Sequence, residues 1–168
     1  LHGNFGNSLV NGRSVWSMIA AAAPVSFQLG LLAIVLTAVV AIPLGMVAGM
    51  KQNSKTDYVI LGTALLVWAI PAYVAGPLLM VLLITILPGS AVPYGWGGIF
   101  DAKIILPLLV LSFQPIALIV RQTRAAVIEV LSEDFVRTAR SKGLPETVVA
   151  LRHILRPVLT PIVTQLGL

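Results

Sequence analysis

Three stretches of this sequence carry no charge, and they limit the fold more than anything else in it. No Lys, Arg, Asp or Glu lies between Arg13 and Lys51, a gap of 37 residues, or between Asp57 and Asp101, a gap of 43. A third run, 104–120, adds 17. A helix needs about 20 apolar residues to cross a bilayer. Only 10% of the residues are charged and 58% are hydrophobic, whereas soluble domains carry about 25% charged residues. Such a chain cannot cover its surface with polar groups, so lipid has to be its solvent. In lipid every backbone polar group must be satisfied internally, which points to an all-α, polytopic transmembrane helical bundle.

The first run is too long for one crossing, and Pro24 divides it. The expectation is an external segment over 1–24, with an interfacial helix that carries Trp16 at headgroup level, and a crossing over 25–50. A second crossing spans 58–87 and ends in the turn-rich loop 88–103, where Tyr94 and Trp96 suit a membrane–water interface. A third spans 102–120. Residues 121–156 form a connecting loop, and 157–168 begin a further transmembrane helix. Lys51 and Lys55 fall in the first connecting loop, and Arg121, Arg124, Arg137, Arg140, Lys142, Arg152 and Arg156 in the third. These two loops share a side and hold nine of the eleven positive charges. The positive-inside rule makes that side cytoplasmic. Residue 1 is Leu, and the 12 residues after Arg156 are too few to span, so the chain reads as an internal fragment of a longer protein.

The polar island 132–144, SEDFVRTARSKGL, reads as a short amphipathic helix over 132–143. Ser132 can cap its N-terminus. Glu133 and Asp134 suit the positive end of the helix dipole, and Arg137, Arg140 and Lys142 its middle and negative end. Gly143 stands where a left-handed residue is wanted after the helix. Phe135, Val136 and Ala139 share one face, and Arg137, Arg140 and Ser141 another. Periodicity alone leaves two readings open, a helix docked in a protein groove and a helix lying on anionic lipid. A second helix runs from about Pro145 to Arg156.

Residues 134–164 resemble the cytoplasmic signature loop of bacterial ABC-importer permeases, and more closely the dipeptide, oligopeptide and nickel group. That pattern is roughly D-Y-V-R-T-A-R-A-K-G-L, then R-H-A-L-R, then a Pro and a Val-Thr pair. Asp134, Val136, Arg137, Thr138, Ala139, Arg140, Lys142, Gly143 and Leu144 match, as do Arg152, His153, Leu155, Arg156, Pro161, Val163 and Thr164. HGNFGNSL at 2–9 resembles the segment after the first helix of the B-type subunit. IPLG at 42–45 and IP at 70–71 fit the same template. Phe135, Pro145 and Pro157 depart from it.

The resemblance implies a type I importer permease fold in a prokaryotic cytoplasmic membrane. The substrate would be small peptides, nickel or a related solute. The implied partners are a second permease subunit, two cytoplasmic ATPase subunits and an extracytoplasmic solute-binding protein that touches 1–14 and 88–103. The helix at 132–143 would be the coupling helix. Phe135, Val136 and Ala139 would enter an ATPase groove, and Arg137, Arg140 and Lys142 would pair with acids at its rim. The alternative is an ATP-independent channel or structural membrane subunit.

Other residues carry weaker signals. Arg152, His153 and Arg156 sit at the loop–membrane boundary, where basic groups anchor to headgroups; a proton-relay role for His153 is the lesser reading. His2 supports no role. Gln28 and Gln114 lie inside crossings, where polar groups face the bundle interior, either for helix–helix hydrogen bonding or for a pathway. Pro43, Pro71, Pro77 and Pro115 permit bends, for gating or for packing. Gly45 and Gly49 form a small-xxx-small pair able to seat another helix.

Several classes fall away. No G-x-x-x-x-G-K-[ST] motif occurs, so ATP and Mg²⁺ would be bound by the partner subunits. G-W-G-G at 95–98 is not a dinucleotide fingerprint. Two His, no Cys and no H-E-x-x-H make a metal site improbable. Glu129, Glu133 and Asp134 lie near arginines and do not read as a catalytic pair, so the chain reads as a transport subunit and not an enzyme. Nucleic-acid binding is disfavoured because the basic residues are juxtamembrane and lack aromatic interleaving.

Overall fold

The computed structural model describes residues 5–86 and 95–167. The readings placed on His2, on residues 87–94 including Tyr94, and on Leu168 lie outside them. Apart from one isolated antiparallel bridge between Asn7 and Ser14, the regular structure of the described residues is helical. Beside that bridge, Phe5 stacks on Trp16 with ring centroids 6.1 Å apart.

Helix α1, Val15–Met50, runs 36 residues without a break. Pro24 therefore does not divide it, and the interfacial helix and the first crossing form a single rod about 54 Å long. A proline inside a helix removes one hydrogen bond and crowds the carbonyl four residues back. For Pro24 that carbonyl belongs to Ala20, in the four-alanine run 20–23, where side chains are smallest. Pro43 also lies inside α1.

The second apolar run does break. Helix α2, Lys55–Ala69, and helix α3, Ala72–Ile86, meet at a bend of 99°. The residue before a proline is pushed out of the helical region, and Ile70, before Pro71, is extended at φ −91° and ψ 113°. The Pro71 carbonyl then accepts from Val74 N (2.9 Å) and Ala75 N (3.0 Å), which starts α3. The straight crossing expected over 58–87 is thus two 15-residue pieces, each about 22 Å long.

A 3₁₀ turn, Ala102–Ile104, leads into helix α4, Ile105–Leu131. The helix runs well past the boundary expected at 120, because charge enters at Arg121 without any helix-breaking residue before Ser132. Among the described residues two helical stretches, Val15–Met50 and Ala102–Leu131, are long and apolar enough to cross a membrane; the bent α2–α3 pair makes a third if it counts as one span.

Helices α1 and α4 form the main packing interface. A Cβ on Gly45 would collide with the Thr123 side chain and come within 2.8 Å of the Val120 carbonyl oxygen. A Cβ on Gly49 would lie 2.6 Å from Val127 Cβ. The small-xxx-small pair therefore seats α4 of the same chain, by the close backbone approach that glycine permits in lipid. Around it, Ala41, Met46, Ala117, Ile119, Val120 and Val127 are buried.

After α4 come helix α5, Asp134–Ser141, and a short helix α6, Glu146–Val148. A π-helical stretch, Val149–Ile154, continues α6 into helix α7, Leu155–Leu166. Helix α7 returns along α4, where Gln122 Nε2 donates to Gln165 Oε1 at 3.2 Å.

Candidate functional site

The polar island folds as α5, shorter than expected at its start. Ser132 does not cap it. The continuation of α4 to Leu131 makes Ser132 the C-cap of that helix, with its hydroxyl donating to the Glu129 carbonyl at 2.7 Å. Glu133, extended at φ −73° and ψ 145°, makes the turn and becomes the N-cap. The C-terminal end follows the sequence. Lys142 N donates to the Thr138 carbonyl at 3.2 Å, Gly143 N donates to that of Arg140 at 2.9 Å, and Gly143 adopts φ +75°. A Cβ at Gly143 would meet no atom within 4 Å, so conformation, not space, favours glycine there.

The apolar face of α5 divides into two parts. Val136 and Ala139 are buried, in the same cluster as Val127, Val149 and Ile154 of α4 and the π-helical stretch. They anchor the helix to its own chain, which corrects the expectation that they enter a partner's groove. Phe135 is 45% exposed. Leu144, just past the glycine, is exposed too. The polar face is mostly exposed. Arg137 stands 3.5 Å from Asp134 in an exposed i,i+3 pair, and Thr138 Oγ1 donates to the Asp134 carbonyl at 2.9 Å. Arg140 makes a two-pronged contact with Glu146, Nε to Oε1 at 2.9 Å and Nη2 to Oε2 at 3.2 Å. It thereby closes the turn between α5 and α6. Lys142 is exposed.

Arg152, His153 and Arg156 do converge. With Leu151 they line one concave surface of about 580 Å³. The other candidates lie elsewhere. Gln28 lines an open cavity of about 790 Å³ beside residues 96–101. Gln114 and Pro115 line one of about 380 Å³ with Thr37, Trp68 and Gln165. Neither the Gln28 nor the Gln114 side chain has a hydrogen-bond partner among the described residues. Pro71 is the hinge between α2 and α3.

An ion pair escapes the sequence reading. Asp57, in the first turn of α2, is fully buried, and Arg124 of α4 grips both its oxygens, Nε to Oδ1 at 2.6 Å and Nη2 to Oδ2 at 2.7 Å. Asn53 N adds a bond to Oδ2 at 2.9 Å, and Asp57 N donates to the Ser54 hydroxyl at 3.3 Å. This is a helix cap, with Ser54 as the N-cap, joined to a charged fork between planar groups. The sequence marks only its local half, the Ser54-x-x-Asp57 spacing. Arg124 lies 67 residues away. The pair fixes the loop 51–54 to the stretch of α4 that leads to α5.

The site is thus a short basic helix, fixed to the bundle by two buried side chains, on a rod braced by a buried ion pair. Residues 41–168 match the family model described as binding-protein-dependent transport system inner membrane component. The chain belongs to this family. Its members are inner-membrane components, in accord with its membrane-spanning helices. This inner-membrane component is 41% identical over 170 residues to the oligopeptide transport system permease protein OppB of Escherichia coli (strain K12), covering 99% of this chain and 54% of that protein. Identity to OppB of Salmonella typhimurium (strain LT2) is 42%, with the same coverage. The dipeptide transport system permease protein DppB of Bacillus subtilis (strain 168) is 34% identical over 157 residues, covering 92% of this chain and 49% of that protein. The inner-membrane component spans about half the length of the curated relatives it matches.

Proposed function

We propose that this chain is part of the membrane-spanning permease subunit of an ATP-driven importer of small peptides. The observation that carries this reading is the arrangement of α5. Phe135, Arg137 and Lys142 are exposed, while Val136 and Ala139 are sunk into the same core as α4 and the π-helical stretch. A helix seated in a partner by its outer face and fixed to α4 and the π-helical stretch by its inner face passes displacement from one to the other. A helix floating on lipid has no need of that inner anchor. Peptides as cargo are supported by the names of the relatives, which are oligopeptide and dipeptide permeases.

In this reading two cytoplasmic ATPase subunits bind and hydrolyse ATP, and their movement reaches the bundle through α5. A second permease subunit completes the pathway. A solute-binding protein delivers cargo on the outer side, against the loop near Trp96. The chain itself positions and moves, and does not hydrolyse. The full-length subunit, assembled with these partners in proteoliposomes, should take up radiolabelled trialanine only when ATP is supplied on the ATPase side. Equal uptake without ATP would point to an ATP-independent channel and overturn the reading.

A further inference from the structure

One turn of α4 gathers contacts from three other helices. Arg124 grips Asp57 of α2 with two prongs, at 2.6 and 2.7 Å. Val127, one turn further on, belongs to the buried cluster that holds Val136 of α5. The end of α1 is seated there too: a Cβ on Gly49 would lie 2.6 Å from Val127 Cβ and 3.0 Å from the Arg124 carbonyl oxygen. The loop 51–54 is drawn onto the same point. Asn53 takes the left-handed conformation, at φ +62°, and its N–H donates to Asp57 Oδ2. The start of α2 is thus tied to the turn of α4 that anchors α5, and the far end of α2 is the bend at Ile70–Pro71.

Holding two helices together does not require charge. Helices α1 and α4 pack through small residues, and an apolar pair of similar volume often replaces a buried ion pair without loss of stability. What a fork adds is direction. Apolar contact is non-directional, whereas two parallel N–H···O bonds fix the distance and angle between both planar groups. The Asp57 carboxylate is fully buried, so no water stands ready to replace the guanidinium, and separating the two is costly. Helix α2 can neither slide along α4 nor turn about its own axis without breaking the fork. We infer that Asp57 and Arg124 are positioning residues for transport, which make α2 follow the movement received at α5 and carry it to the bend at Pro71. This rests on the importer reading and adds the route by which displacement leaves α5 within the bundle.

Asp57→Leu/Arg124→Met keeps the two helices packed and removes the fork. Arg124→Lys keeps a charge beside Asp57 and loses the planar geometry. Each variant of the full-length subunit is purified with its proposed partners, and trialanine taken up per ATP hydrolysed is read in proteoliposomes. That ratio counts assembled complexes only, so a change in stability alone does not move it. The double variant should hydrolyse ATP near the parent rate, with uptake per ATP lower by about tenfold, a size usual for coupling between sites. Arg124→Lys should show a smaller fall. A parent ratio in the double variant, or in Arg124→Lys if only that one assembles, overturns the link. Failure of both to assemble overturns it too, because the pair then serves folding alone. A parent complex without ATP-driven uptake overturns the importer reading and the link with it. ATP-driven uptake in the parent with an unchanged ratio in the variants overturns the link alone.

Discussion

Arg124→Met should destabilise the folded subunit by about 3–5 kcal/mol, because it strands a fully buried carboxylate without its partner. Asp57 would keep the Asn53 N–H but lose both prongs of the guanidinium. Asp57→Asn should cost less. It leaves behind an Arg124 whose side chain is 21% exposed and can turn its charge toward water, and Asn can still receive the Asn53 amide. The double variant Asp57→Leu/Arg124→Met should recover most of the loss, since an apolar pair of similar volume often replaces a buried ion pair without penalty. Thermal unfolding of the full-length protein in detergent tests the order: parent and double variant highest, Asp57→Asn lower, Arg124→Met lowest. An Arg124→Met protein that melts with the parent would show that the pair contributes nothing to holding α2 on α4.

On the proposed importer reading, Gly143→Glu should leave insertion intact and lower peptide uptake at least tenfold. Two effects act together. The left-handed conformation at φ +75° costs a residue with a Cβ about 1–2 kcal/mol, so the chain leaves α5 at a different angle. The new carboxylate also stands beside Arg140 and Lys142 and competes with Glu146 for Arg140, which now closes the α5–α6 turn. Asn tolerates left-handed geometry, so Gly143→Asn should keep most of the uptake. Surface labelling reports insertion and trialanine uptake reports coupling. Parent-level uptake in Gly143→Glu would contradict a coupling role for this turn.

The elements that were legible in the sequence are those set by local rules. The exit of α5 is one, because Gly143 after a basic last turn is a local signal. The Gly45–Gly49 pair is another, although the sequence could not say which helix it seats. What escaped depended on tertiary partners. Ile42–Pro43 and Ile70–Pro71 carry the same local signal, a β-branched residue before proline, yet only the second breaks its helix. Pro43 lies between Ala41 and Gly45, which are packed on α4, and that packing keeps α1 continuous. No comparable brace holds Ile70, which is 41% exposed. Ser132 misled for a related reason: serine serves either end of a helix, and the length of α4 decided which. The division of the α5 apolar face was out of reach because Val136 and Phe135 are adjacent and alike in hydrophobicity. The positions of α4 and the π-helical stretch bury one and expose the other. Asp57–Arg124 and the Thr37–Gln114–Gln165 cavity join residues distant in sequence, and nothing local announces either.

The proposed transmission role of α5 is tested most directly by a cysteine pair in the full-length assembly. One cysteine replaces Ser141, which is exposed on the polar face of α5. The other sits in the groove of the proposed ATPase partner that would face α5. A disulfide that forms readily, with a yield that changes when ATP is added, is the expected result. No cross-link in either nucleotide state, with both subunits folded and co-purifying, would contradict it and leave α5 as a helix that faces lipid.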